Sequence, residues 1–245
     1  MKQAFSLLEL TLLIVLLGAV FVLSEKYFSK EFLMQGAQVL LNDILYTRNL
    51  AMMQEELRLK DPVAKKQWYK SRWQLYFIKS AATNYEQTYT IFLDKNGDGN
   101  ANLGKTILNK DREIAVDILN TNKLMNSGQS GVIHKDDKRT TQRFNIQKSF
   151  GIVKVEFKGV CAGTTRIIFD KLGSLYSPLR TSNSVYDKSL AKTGKECVIR
   201  LHSKHKRQLC IVIDALSGYA FIPKFQNLNS QIFTFKNQSK ECKDI

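Results

Sequence analysis

The first third of the chain has two successive apolar patterns. From Leu10 to Leu23 every residue is apolar except Thr11 and Gly18, and with Phe5, Leu7 and Leu8 the run approaches the roughly 20 residues that cross a bilayer as helix. Beyond it, Leu33, Ala37, Leu40, Leu41, Ile44, Leu45 and Ala51 recur at three- and four-residue steps, the spacing of one helix face. No proline occurs before Pro62, so a single helix is expected from about Phe5 to Leu57, on the order of 80 Å long at 1.5 Å per residue. DPVAKK then stops it.

After Trp68 the texture changes to short runs rich in Tyr, Phe, Ile and Val, separated by Gly, Asn and Asp. WQLYFIK, EQTYTIFL, EIAVDIL, IVKVEFKG, TTRIIFD, CVIRLH, RQLCIVID, YAFI and QIFTF read as strands of a mostly antiparallel sheet or sandwich. The polar stretches Asn120 to Arg143 and Tyr176 to Lys195 read as long surface loops. The fold class expected is therefore α+β, a long N-terminal membrane-spanning helix packed on a β-rich head.

Composition adds a constraint on partners. Lys and Arg number 37 against 22 Asp and Glu, for a net charge of +15 over 245 residues, which favours anionic partners such as DNA, lipid or an acidic protein surface. The 44% hydrophobic content is that of a folded protein.

The apolar run carries a charge at its edge, Glu9, which is costly in lipid and predicts a partner. The run is followed by VFVLSEKYFSKEF, without the small-residue cleavage pattern of a secretory signal, so the segment is expected to stay attached. KQAFSLLEL resembles the class III signal of type IV pilins and pseudopilins. That resemblance implies a leader over residues 1–4, cleavage between Ala4 and Phe5 by a prepilin peptidase, N-methylation of Phe5, and Glu9 pairing with the N-terminal amine of a neighbouring subunit. Ala4 stands where the family usually has Gly. An ion pair at such a position offsets a desolvation cost that neither charge bears alone.

TRNLAMMQ, the Trp-bearing strand, YTIFLDKNGDGN, RIIFDKLGSL and CIVIDALSGYA together are similar to the GspH/FimT type of minor pseudopilins and pilins. The resemblance implies a membrane half of the helix over 5–24, an amphipathic half over 25–60 and a head over 67–245. It also implies a single-pass protein of the bacterial inner membrane with its N-terminus cytoplasmic and its head periplasmic. Its partners would be other pilin or pseudopilin subunits, inner-membrane lipid and secreted cargo. An alternative within the same resemblance is a DNA-binding minor pilin of natural transformation. A membrane-anchored periplasmic protein of other function is a further alternative.

Three clusters are candidates for chemistry. In DKNGDGNANLGK, Asp94, Asn96 and Asp98 fall at positions 1, 3 and 5 of a calcium loop with Gly99 at 6, but Lys105 takes the place of the closing Glu, which favours a hairpin turn over a metal site. Cys161, Cys197, Cys210 and Cys242 suit two disulfides, with Cys197 facing Cys210 across a hairpin and Cys161 left for Cys242 as one pairing. RLHSKHKR gathers Arg200, Lys204, His205, Lys206 and Arg207 at a hairpin tip, where they would bind phosphates without reading sequence, or simply be solvated. No GxSxG, HExxH or phosphate-cradling motif occurs, so no enzyme and no cofactor is expected.

Overall fold

A computed structural model describes residues 7–54, 68–104, 112–224, 232–235 and 238–242. Helix α1 (Leu7–Met53) is 47 residues long and has two unlike halves. In the second half Leu33, Ala37, Leu40, Asp43, Ile44, Thr47 and Ala51 are buried, a stripe at three- and four-residue steps. Gly36 lies on the same stripe, and a Cβ there would stand 2.6 Å from Phe150 Cβ and 2.9 Å from Ile152 Cδ1. The missing side chain is what lets the helix approach the head this closely.

The head is built mostly from antiparallel strands. One sheet has the order β2-β1-β6-β7, from β1 (Trp73–Ile78), β2 (Thr88–Leu93), β6 (Arg166–Phe169) and β7 (Leu175–Tyr176). The other runs β10-β9-β8-β5, from β5 (Ile152–Gly159), β8 (Glu196–Ser203), β9 (Gln208–Asp214) and β10 (Ala220–Phe221). Among the described residues two small hairpins, β3 (Val116–Asp117) with β4 (Asn120–Leu124) and β11 (Ile232–Phe235) with β12 (Gln238–Glu241), complete the strands. A short helix α2 (Ile146–Phe150) leads into β5 and ends on Gly151 at φ 67°, the left-handed geometry that favours glycine.

One core joins the two larger sheets to the helix. Leu40 and Ile44 of α1 share a cluster with Leu75, Ile91 and Phe169 of the first sheet and Ile199, Leu201 and Ile211 of the second. Burying such side chains contributes roughly 1.5–3 kcal/mol each, so the second half of α1 is anchored by many small increments.

The fold class and location expected from the sequence are corrected in one respect that matters. Among the described residues no helix is long and apolar enough to cross a membrane, which overturns the membrane-spanning element and with it the single-pass inner-membrane anchor. A second correction concerns Asn120 to Arg143, expected as a surface loop: Leu124, Met125, Asn126 and Ser127 are buried, and β4 runs through its start.

Candidate functional site

Among the described residues, the first half of α1 carries a long unbroken run of exposed apolar side chains. From Leu12 through Leu17, six consecutive side chains are between 47% and 71% exposed, so they point to every side of the helix. Leu7 at 83% and Phe21 at 76% extend the surface in both directions. Glu9 lies on this half and is exposed. Large contiguous apolar surface on a folded protein marks a site of association. Ala4 and Phe5, the residues of the expected cleavage, lie outside the described residues.

Where α1 meets the head, the apolar stripe is interrupted by a buried charge cluster that sequence reasoning missed. Arg143 Nη1 donates to Asp43 Oδ2 at 2.6 Å, and its Nη2 donates to Asp117 Oδ1 at 3.1 Å. Tyr89 Oη donates to the same Asp43 oxygen, and Arg143 lies 4.1 Å over the Phe144 ring. Burial pushes the Asp43 carboxyl above its ordinary value, with Arg143 and Tyr89 pulling the other way. Desolvation likewise pushes the Tyr89 phenol up. The cluster latches the helix to β2, to β3 and to the segment before α2. Its helical partner was legible, since Asp43 falls three residues after Leu40 on the buried face; nothing in the pattern around Arg143 marks it.

The DKNGDGN loop is held by its own backbone amides. Asp94 Oδ2 accepts from Gly99 N at 2.9 Å, Asn96 Oδ1 from Asp98 N at 3.0 Å, and Asp98 Oδ1 from Asn100 N at 2.7 Å. Behind it Glu113 accepts from Lys95 N at 2.6 Å and Asn102 N at 2.9 Å. Gly97 and Gly99 take positive φ, 73° and 81°, which the tight turn requires. Arg166 Nη1 donates to Gly99 O at 2.5 Å, so a fixed positive charge already stands against the loop. Among the described residues no three His, Cys, Asp or Glu side chains are grouped to hold a metal ion. Lys105 lies outside the described residues. Burial pushes Asp94 up to about 6 and Glu113 up to about 7, against the amides that favour their ionised forms.

The cysteines form two disulfides, but not with the expected partners. Cys161 joins Cys197, and Cys210 joins Cys242. The hairpin register explains the difference: Cys197 faces Ile213 and Cys210 faces Arg200. The two cysteines therefore lie on opposite faces of the sheet, Cys197 in the main core and Cys210 in the outer cluster with Val198, Val212 and Cys242.

The basic cluster divides as well. Lys204, His205 and Lys206 are exposed in the turn between β8 and β9, whereas Arg200 and Arg207 are half-buried. Arg207 Nη1 is buried without an acceptor, and one turn-ward neighbour, His202, faces Glu156 at 3.1 Å. Of the five side chains, three are thus open to solvent and two are partly covered. Comparison with protein families, characterised proteins and solved structures yields no match.

Proposed function

We propose that the protein is a pilin-like structural subunit, of the minor pseudopilin kind that its N-terminus and head motifs resemble. It assembles by burying the first half of α1 among the equivalent helices of neighbouring subunits. The observation that carries this reading is the exposure of six consecutive apolar side chains, Leu12 to Leu17. A single partner helix covers a stripe of about 100° and would leave most of them in water. Several helices packed around α1 cover all its sides, as in the core of a filament. Burial of six such side chains is worth on the order of 10 kcal/mol before the costs of association.

The division of labour along α1 follows from this. The half from Leu33 onward holds the head, and the half before Phe21 holds the neighbours. Cleavage after Ala4, methylation of Phe5 and a pairing role for Glu9 belong to the same proposal. The test is assembly of the full chain with its partner subunits, followed by sedimentation and negative-stain microscopy. Leu13→Ser combined with Leu16→Ser is expected to abolish assembly while the urea unfolding midpoint of the head stays unchanged, and Glu9→Ala is expected to weaken it. Undiminished assembly of the double variant would overturn the proposal.

A further inference from the structure

Three of the four outer edges of the two larger sheets are covered or very short. The outer edge of β2 is taken by backbone from later segments, with Leu93 N donating to Glu113 O at 3.0 Å and Ile91 N to Met125 O at 3.1 Å. The short strand β7 is flanked by the segment that follows it, where Leu190 N donates to Leu175 O at 2.9 Å. β10 is only Ala220–Phe221. β5, at the end of the order β10-β9-β8-β5, runs for 8 residues, and among the described residues it pairs with β8 alone.

The register shows which backbone groups face the open side. Val160 N donates to Glu196 O at 3.1 Å, and the ladder runs without a shift from Gly159 opposite Cys197 to Lys154 opposite His202. Hydrogen-bonded pairs alternate with non-bonded ones in an antiparallel ladder, so Lys154, Glu156 and Lys158 bond to β8 while the N–H and C=O groups of Val155 and Phe157 turn away from it. Among the described residues those outward groups have no hydrogen-bond partner. One step along the same edge, Lys79 Nζ donates to Val153 O at 2.8 Å, and Lys79 is exposed, so this edge lies at the surface. Val155 is half-buried, and Lys154 and Gly159 are exposed. A row of unpaired backbone groups is a template for another strand.

The side chains along β5 set the chemistry of that strand. Val155 and Phe157 point inward and pack on the main core. Lys154, Glu156 and Lys158 alternate with them on the outer face. Glu156 already meets Lys154 Nζ at 2.5 Å and His202 Nε2 at 3.1 Å, so two lysines stand on β5 against one acid that is in use. An identical strand added antiparallel would set Lys154 against Lys158 and Glu156 against Glu156, and like charges directly opposite oppose such self-pairing. We infer that the free edge of β5 takes up an extended segment of a partner protein as a further antiparallel strand, with the pattern acid, apolar, polar, apolar, acid. The two acids meet Lys158 and Lys154, and the apolar residues continue the core face beside Phe157 and Val155. The net charge of +15 favours the same acidic partner. This surface is separate from the assembling half of α1 and does not depend on it.

The experiment uses the full chain in a nonionic detergent and titrates it with the fluorescent, end-blocked peptide Gly-Glu-Val-Thr-Val-Glu-Gly, followed by anisotropy and by amide hydrogen exchange. Binding is expected to slow exchange at Val155 and Phe157 by about tenfold at saturation. The same peptide with Lys in place of both Glu residues is expected to bind at least about tenfold more weakly. N-methylation of the two Val residues of the peptide removes the N–H groups that face the edge and should abolish binding, whereas N-methylation of its Thr should not. Val155→Pro should also abolish binding with little change in the urea unfolding midpoint, because its N–H has no partner in the fold. Should that variant not fold, the methylated peptides carry the same test on the native chain. Binding without protection of Val155 and Phe157, equal affinity for the two charge forms, or no binding at millimolar concentration overturns the inference. Protection that grows with protein concentration in the absence of peptide assigns the edge to a second copy of the chain and overturns it as well.

Discussion

Replacing Arg143 by Met tests the latch between helix and head. In the native protein the guanidinium is 17% exposed, and the side chains of Asp43 and Asp117 are only 4% and 2% exposed. Removing it leaves two buried carboxyls without their common partner, a change that costs roughly 3–5 kcal/mol. With a urea m-value of about 2 kcal/mol per molar, the midpoint should fall by about 2 M. The loss should depend on pH. Burial already raises Asp43, so its protonated form is the one the fold prefers, and without Arg143 that preference grows. The folded state of the variant then holds protons that the unfolded chain has released, and its deficit shrinks as pH falls from 8 towards 4. Asp43→Asn should cost less, because Tyr89 keeps an acceptor and Arg143 keeps Asp117. The assay is urea unfolding by Trp fluorescence and circular dichroism, in detergent to cover the apolar half of α1. A deficit below about 1 kcal/mol at pH 8, or one that does not shrink at low pH, would refute the reasoning.

Other consequences are as direct. Non-reducing peptide mapping should recover Cys161 with Cys197 and Cys210 with Cys242. Removing either bridge should cost about 3–4 kcal/mol from loop closure alone. Gly36→Val drives two methyl groups into Phe150 and Ile152, and a loss of about 2 kcal/mol or more is expected in the same unfolding assay. Glu113 rises from 4.5 to about 7 on folding, so stability should decline as pH rises through that window, by about 3 kcal/mol at most, and Glu113→Gln should flatten the decline. Unchanged pH dependence in Glu113→Gln would assign the decline to other groups.

Much of the architecture was legible because it rests on short-range pattern. Leu33, Ala37, Leu40, Ile44 and Ala51 keep helical spacing and are buried as that spacing requires. The runs WQLYFI, TYTIFL and QLCIVID are strands where branched and aromatic residues cluster. The misses have physical causes. Residues 124–127 look like loop because they lie in a polar stretch, yet Asn126 Nδ2 donates to Thr90 Oγ1 at 2.9 Å and its Oδ1 accepts from Gly128 N at 2.5 Å, so burial is compensated by one partner far away in sequence and one two residues on. β12, with the sequence QSKE, has no apolar face to reveal it. The cysteine pairing turned on the parity of the hairpin register, which the turn around Lys206 at φ 61° fixes and spacing alone does not.

The latch illustrates the same limit. Asp43 sits on the buried face of α1, so its position was visible as an acid among core residues. Its partner Arg143 lies 100 residues later in a segment without periodicity. The pairing exists only once β2, β3 and the approach to α2 have closed around the helix.

The central claim concerns what covers the first half of α1, and photo-crosslinking tests it most directly. A photoreactive residue placed singly at Leu12, Leu13, Ile14 and Val15 samples successive sides of the helix in steps of about 100°. In assembled material the account predicts protein adducts at all four positions, mapping to the N-terminal helices of neighbouring subunits. Adducts confined to one side, or to lipid at every position, would contradict it.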